Sequence, residues 1–367
     1  MDTLAEQLSR QTREAELYQP LDRNRVLCFA CGHRCPISPG FQGVCKVRFN
    51  RDGKLYAPFG YVNGAHADPI EKKPFFHALP GTRAFSFGML GCDLHCGYCQ
   101  NWVSSQALRD FRSSLDFYAA TPAELVALAC RQGASSLVST YNEPLITAEW
   151  AVAVFREAKA AGLATGFVSN GNATPEVLEY LRPWVDLYKV DLKSFDDRRY
   201  HELGGRIGPI LDSIRRIHEM GFWLEIVTLV IPGFNDSDAE LRSIAGFLAA
   251  ISPDIPWHVT AFHKDYKMTG PDDTPPETLV RAAAIGRAAG LRFVYAGNLP
   301  GATGKLENTD CPRCGSSVIE RRGFRVLRNR LAEGGACPNC GGRIPGFWEH
   351  SAGHAPVPDG LVHLRCG

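Results

Sequence analysis

Three cysteines, Cys92, Cys96 and Cys99, stand in the run Gly-Cys-Asp-Leu-His-Cys-Gly-Tyr-Cys-Gln-Asn-Trp, directly after the apolar stretch Ala84 to Leu90. Thiols at C-x3-C-x2-C spacing in one loop are metal ligands in waiting. An iron–sulfur cubane ordinarily takes four cysteines, so three leave one iron without a protein ligand and open to a bound small molecule. A structural zinc knuckle is the plain alternative, but such sites use paired hooks and four ligands, and here the fourth is missing locally. Two further sets flank the loop. Cys28, Cys31, Cys35 and Cys45 form C-x2-C-x3-C-x9-C, four soft ligands that permit either zinc or a second iron–sulfur cluster. A closed coordination sphere suits structure or electron relay better than substrate activation. Cys311-Pro-Arg-Cys314-Gly and Cys337-Pro-Asn-Cys340-Gly are matched hooks of the zinc-ribbon or rubredoxin type, expected to hold a structural zinc ion. Cys130 and Cys366 have no evident task.

The elements that must position these residues follow from apolar periodicity. Strands are expected at 84–90, 136–141, 164–169, 187–192, 223–231, 257–262 and 292–295. Helical patterns lie between them, over 122–132, 148–161, 175–181, 207–220, 238–250 and 276–289. Thr121-Pro122 and Thr174-Pro175 are helix starts, a cap residue followed by proline at the first helical position. Strict alternation of strand and helix implies parallel strands with right-handed crossovers and ligands at the strand carboxyl ends. The fold class is α/β, a partial (β/α)6-type TIM barrel open on one side, with a Cys-rich amino-terminal segment and a carboxyl-terminal zinc-ribbon or rubredoxin-like segment. The expected divisions are 1–83, 84–305, 306–348 and a tail over 349–367. Between 20 and 80 little periodicity is visible, so a metal would have to replace a hydrophobic core there. Asp68, Glu71, Lys72, Lys73 and His77 are read as a lid over the strand ends or a solvated linker.

Bulk properties exclude more than they assign. Lys+Arg 40 against Asp+Glu 39 gives no field for nucleic acid or a membrane surface. No apolar stretch of about 18 residues suggests a span, and the polar start lacks the apolar core of a signal peptide. A soluble cytoplasmic protein is expected. At the strand ends, Tyr141-Asn142-Glu143-Pro144, Ser169-Asn170-Gly171-Asn172 and Asp191-Leu192-Lys193 supply groups that can grip a charged, polar cofactor. Glu143 suits an ammonium, since a water-poor site favours a charge-assisted acceptor. Each also has a local alternative: Asn142-Glu143-Pro144 can cap a helix, and Asn170-Gly171 is a common turn.

The cysteine loop with its aromatic neighbour resembles that of the radical S-adenosylmethionine enzymes, among them the pyruvate formate-lyase activating enzyme. That resemblance implies a [4Fe–4S] cluster at Cys92, Cys96 and Cys99, whose open iron is chelated by S-adenosylmethionine and whose electron cleaves the sulfonium to a 5′-deoxyadenosyl radical. It further implies that Asn142 and Glu143 meet the methionine amino group, and that Asp191 and Lys193 meet the carboxylate or ribose. Ser169, Asn170 and His263 are expected to contribute to the same site. From about residue 20 to 348 the chain resembles the radical member of the AmmeMemoRadiSam system. The carriers include Cys28-Phe-Ala-Cys31-Gly-His-Arg-Cys35, Asp68-Pro-Ile-Glu-Lys-Lys-Pro74, Tyr141-Asn-Glu-Pro144 and Val294-Tyr-Ala-Gly-Asn298. Memo-like and AMMECR-type partners and an electron donor such as flavodoxin or ferredoxin are implied with it. A metal-dependent scaffold and a pure electron carrier are the rival readings; neither has use for the triad, Glu143, Asp191 and Lys193 together with a barrel.

Overall fold

Within Arg83–Gly88 the side chains of Phe85 and Phe87 pack outward under helices while Ala84 turns inward, the two-faced pattern of a strand covered on both sides. The computed structural model, which describes residues 4–110, 112–113 and 116–349, repeats this unit around an eight-stranded sheet. Its strands are β1 (Gly64–Pro69), β2 (Arg83–Gly88), β3 (Ala134–Ser139), β4 (Ala164–Ser169), β5 (Leu187–Asp191), β6 (Trp223–Val230), β7 (Trp257–Ala261) and β8 (Val294–Gly297). They lie in the order β8-β7-β6-β5-β4-β3-β2-β1. Neighbours from β2 to β8 pair in parallel, and β1 closes the row antiparallel to β2. Among the described residues β1 and β8 do not pair with each other, so the barrel is open along that seam.

The crossovers are α1 (Pro122–Arg131), α2 (Ala148–Ala160), α3 (Pro175–Leu181), α4 (Ile207–Glu219), α5 (Asp238–Ile251) and α6 (Pro276–Ala288). Thr121 and Glu124 form a full capping box at α1, and Thr174 accepts from Val177 N at 3.2 Å at α3, each cap worth about 1 kcal/mol. No helix among the described residues is long and apolar enough to cross a membrane.

Two sequence expectations are corrected. The amino-terminal segment does not do without a core: Leu17, Val26, Ile37, Leu55 and Tyr61 are buried in the same cluster as the helix–sheet interior. And residues 70–79 are no lid over the strand ends. Ile70, Phe75 and Ala78 pack with Ala84, Val138, Ala164 and Leu187, plugging the opposite, amino-terminal end of the barrel. The charges in 68–73 look solvated in sequence, but Asp68 and Lys73 form a buried pair and Glu71 is buried against Arg321 of the carboxyl-terminal module.

The same plug carries the carboxyl-terminal module, a three-stranded sheet of Thr309–Asp310, Ser317–Arg322 and Arg325–Asn329. Phe347 N donates to the His77 carbonyl at 2.7 Å, and Leu79 N to the Phe347 carbonyl at 3.0 Å. Beneath them runs a buried chain of hydrogen bonds. Arg321 donates to Thr309 Oγ1 at 2.8 Å, Thr309 and Tyr295 hydroxyls meet at 2.8 Å, Tyr295 OH lies 2.5 Å from His77 Nε2, and His77 Nδ1 lies 2.7 Å from the Pro345 carbonyl. A carbonyl can only accept, so Nδ1 carries the proton and Nε2 receives the Tyr295 hydroxyl. Glu225 ties in β6 by accepting from the backbone N–H groups of Phe76 and His77. Apart from Glu349, the tail expected over 349–367, with Cys366, lies outside the described residues.

Candidate active site

β2 stops at Gly88, and the chain turns across its carboxyl end into the cysteine loop. Gly91 takes φ +97°, and a Cβ there would lie 2.8 Å from Val47 Cγ1, so glycine alone lets the loop begin this close to the amino-terminal segment. On the other side Gly204, φ +82°, leaves room for the His95 ring, whose Cε1 would be 2.2 Å from an added Cβ. The segment after β7 lies over the loop. Lys267 N and Met268 N both donate to the Gly97 carbonyl, at 2.9 and 3.0 Å, and Trp102 stacks on Tyr266 at 5.0 Å.

Cys92, Cys96 and Cys99 line one cavity of about 100 Å³ together with Asn142, Glu143, Ser169, Asn170, Asp191 and Lys193. Of the residues the resemblance implies for the cofactor, Asn142, Glu143, Ser169, Asn170, Asp191 and Lys193 are on its wall. His263 is exposed and bonds Gln100 Nε2 at 2.8 Å, and Gly171 and Asn172 do not line the cavity. Burial pushes all three thiols up, Cys96 to about 11, so a cationic metal centre is what would keep them ionised. Donors are already aimed at the sulfurs: Leu94 N is 3.4 Å from Cys92 Sγ, and Ser105 Oγ is 3.2 Å from Cys99 Sγ. The donor set fits a three-thiolate cluster facing the cavity.

Glu143 is fully engaged by its own chain. Its Oε1 accepts from Ser169 Oγ at 2.7 Å and Leu145 N at 3.1 Å, and its Oε2 from Asn170 N at 2.7 Å. It thus caps the short helix Pro144–Thr147 and still lines the cavity. Burial, then the charge of Asp93, raises its carboxyl to about 8 against those three donors. Asp191 shows the opposite balance: burial opposes its ionisation, but Lys189 and Lys193 outweigh burial and hold it below the usual carboxylate range. Lys193 Nζ lies 3.6 Å from Asp191 Oδ2, and Lys189 makes a closer pair with Oδ1.

One residue of the site carried no signal strong enough to single it out, and others take roles the sequence did not suggest. Asp93 is fully buried inside the cysteine loop, where its carboxylate accepts from Asn170 Nδ2 at 2.7 Å and Asn172 Nδ2 at 2.8 Å. It ties the loop to the end of β4, and the hint was an acid between two would-be ligands. Tyr141, at φ +72°, places its ring on the cavity wall while Lys73 Nζ reaches its hydroxyl at 3.0 Å. Lys73 and Asp68 are both 4% exposed and 3.0 Å apart, and Asp68 also accepts from Lys72 at 2.9 Å. A strained bulky residue held by a buried ion pair marks a place where geometry is enforced.

The outer cysteine sets differ. Cys311, Cys314, Cys337 and Cys340 bring their sulfurs within 4.8 Å of one another, with Cys311–Cys340 at 3.6 Å and Cys314–Cys337 at 3.7 Å. The two hooks are built alike, Gly315 N donating to the Cys311 carbonyl and Gly341 N to the Cys337 carbonyl, both at 2.9 Å. Zinc–sulfur bonds of about 2.3 Å at tetrahedral angles require sulfurs a little under ~4 Å apart, so the four are placed to hold one ion. Cys28, Cys31 and Cys45 are buried and Cys35 half-buried; they do not gather so tightly.

A parallel barrel with three thiols in the loop after its first parallel strand, facing carboxylates and lysines at the next strand ends, defines a cluster-bearing cofactor site. The profile of the Radical SAM superfamily matches residues 88–243. An uncharacterized protein of Methanocaldococcus jannaschii is 36% identical over 335 residues, covering 90% of this chain and 98% of that protein. The benzylsuccinate synthase activating enzyme of Thauera aromatica is 34% identical over 149 residues, 36% of this chain and 45% of that enzyme, less than half its length. Among solved structures, a domain of pyruvate-formate lyase-activating enzyme from Bacteroides vulgatus superposes with TM-score 0.39 at 23% identity, covering 45% of this chain and 99% of that one. The chain belongs to the radical SAM superfamily.

Proposed function

We propose that the protein is an activating-enzyme-like radical enzyme of the AmmeMemoRadiSam type, which cleaves S-adenosylmethionine reductively and abstracts hydrogen from a partner protein, a glycyl position being the favoured target. One observation carries the reading: the triad shares a single cavity with Glu143, Ser169, Asn170, Asp191 and Lys193. When bound, the cluster would supply one electron to the sulfonium and leave the reactive adenosyl fragment. The chain's own work is binding and exclusion. Glu143, held rigid by three donors, presents a carboxyl to an ammonium. Lys193 and Asp191 offer a cation and an anion to a carboxylate and a ribose. The segment 264–271, fastened to Gly97, keeps water and oxidants from the loop.

A protein target is supported by relatives named as activating enzymes of other enzymes. Memo-like and AMMECR-type proteins are the proposed partners, flavodoxin or ferredoxin the proposed reductant, and the cytoplasm the proposed location. Zinc is the proposed ion at Cys311, Cys314, Cys337 and Cys340. Anaerobic reconstitution with iron and sulfide, then reduction in the presence of S-adenosylmethionine, is expected to yield 5′-deoxyadenosine, with the yield rising when the partner is added. No product from a protein whose cluster shows the reduced paramagnetic signal would refute the reading.

A further inference from the structure

Between Ile37 and Phe49 the chain turns large apolar side chains toward water: Phe41 is 67% exposed and Val44 40% exposed. Their backbone is fixed. Phe41 N donates to the Ser38 carbonyl at 3.0 Å, and the Phe41 carbonyl accepts from Asn50 N at 2.9 Å. Lys46 N donates to the Gly43 carbonyl at 3.0 Å in a turn that holds Lys46 at φ +68°. Beside Phe41 the surface sinks into a hollow of about 330 Å³, whose wall includes Leu8, Phe41, Val47, Phe49, Tyr61 and Leu108. Pockets that hold ligands run from ~300 Å³ upward. An apolar hollow continuous with exposed apolar side chains is the mark of an interaction site, which a lone surface phenylalanine is not.

The charges on the same wall say what fits. Lys46 and Arg51 are exposed, and Asp52 is its single acid. Arg51 lies over the rings of Phe49 and Tyr56 at 5.3 and 4.7 Å. Among the described residues no carboxylate pairs with either cation. A small molecule would fill the hollow and leave Phe41 and Val44 in water, and a nucleic acid backbone calls for a longer run of cations. A protein segment covers everything, with an apolar side chain in the hollow, its flanking chain over Phe41 and Val44, and a carboxylate on the unpaired cations.

The hollow also backs onto the cysteine loop. Val47 is the side chain that a Cβ on Gly91 would strike, and Leu108 packs with Cys45, Val47 and Ile146. The Tyr61 hydroxyl, buried without a hydrogen-bond partner, lies near the Leu90 backbone. Arg109 donates to the Val44 carbonyl at 2.5 Å and the Leu94 carbonyl at 3.2 Å, which ties the exposed patch to the loop between Cys92 and Cys96.

We infer that this surface docks a partner protein through a bulky apolar side chain flanked by an acidic residue, and so holds that partner beside the loop of Cys92, Cys96 and Cys99. That the docked protein is the one from which hydrogen is taken rests on the function proposed above. The docking surface itself does not.

A displayed library of random peptides, selected on the anaerobically reconstituted full chain, tests this. Phe41→Ser and Lys46→Glu alter exposed side chains outside the triad's cavity, so cluster content and the 5′-deoxyadenosine yield of the dithionite-reduced protein are expected to be unchanged. Enriched peptides are expected to carry Leu, Phe or Trp close to Asp or Glu, and to bind Phe41→Ser roughly tenfold or more weakly, the effect of losing an anchor contact. They should bind the unaltered chain better at low salt than at high, a preference that Lys46→Glu removes. No enrichment, enrichment of sequences without that pairing, or equal binding to both variants would overturn the inference. So would self-association of the unaltered chain that Phe41→Ser abolishes, which would make a second copy the occupant. Failure of the radical reading looks different: the reduced protein then yields no 5′-deoxyadenosine, while peptide selection and its dependence on Phe41 and Lys46 stay intact.

Discussion

Glu143→Gln separates a helix cap from a ligand group, because the carboxylate serves its own chain through both oxygens. If the amide oxygen takes the Oε1 place, the bonds from Ser169 and Leu145 survive. The amide nitrogen then faces Asn170 N, donor against donor, where 2.7 Å now separates donor and acceptor. An unsatisfied buried donor costs about 1–3 kcal/mol, so a urea midpoint shift of that size is expected whatever the function. Loss of a charge-assisted contact to a ligand ammonium would cost a further 1.5–3 kcal/mol or so in binding, roughly ten- to a hundredfold in affinity.

Protonation gives a second, sharper readout. With its carboxyl raised to about 8, Glu143 is largely protonated at pH 7. An arriving ammonium favours the charged form and expels that proton. Calorimetric titration of the reconstituted protein with S-adenosylmethionine in buffers of different ionisation enthalpy is expected to show proton release in the unaltered protein and its loss in Glu143→Gln. A variant with lowered stability but unchanged affinity and unchanged proton release would show that Glu143 is a cap alone.

Asp93→Ala strips the acceptor from Asn170 and Asn172 and is expected to lower cluster retention after gel filtration, although no ligand sulfur is touched; full retention would mean the loop holds itself. Burial lowers His77 to about 4, so the unfolded chain binds the proton first on acidification. Stability is therefore expected to be intact above pH ~6.5 and to fall by about 3 kcal/mol between there and pH ~4, a slope that chemical denaturation should find flattened in His77→Gln. Cys314→Ala, or strong chelation, is expected to make residues 306–348 protease-sensitive while S-adenosylmethionine cleavage with dithionite stays largely intact; loss of cleavage alongside an intact tail would assign this metal to electron delivery.

The barrel is legible in the sequence because strands buried on both faces must read as unbroken apolar runs, and because Thr-Pro pairs mark helix starts. Trp223–Val230 and Pro175–Leu181 are close to or at the expected bounds. β1 is not legible: His66 and Asp68 point into a polar interior, so Gly64–Pro69 lacks the apolar signature and reads as linker. The cavity wall is legible where a strand end meets a charged or amide residue, as at Glu143 and Asp191. It is illegible where an interior contact joins distant segments, as for Lys73 and Tyr141, or where one acid lies among ligands, as for Asp93. The floor chain of Arg321, Thr309, Tyr295 and His77 has no sequence pattern at all, since each member comes from a different element.

That floor bears on the chemistry above it through one short stretch of chain. Phe76 and His77 accept from Arg321 and Tyr295 and donate their N–H groups to Glu225, and three residues earlier Lys73 turns up into the barrel to hold Tyr141 on the cavity wall. Buried ion pairs such as Lys73–Asp68 add little net stability, while leaving one partner unpaired costs several kcal/mol, so the pair persists only if the plug stays seated. The carboxyl-terminal module meets that plug from the side away from the cavity, through Phe347 on His77 and Leu79 and Arg321 on Phe76, whereas the amino-terminal segment lies against the loop that carries Cys92.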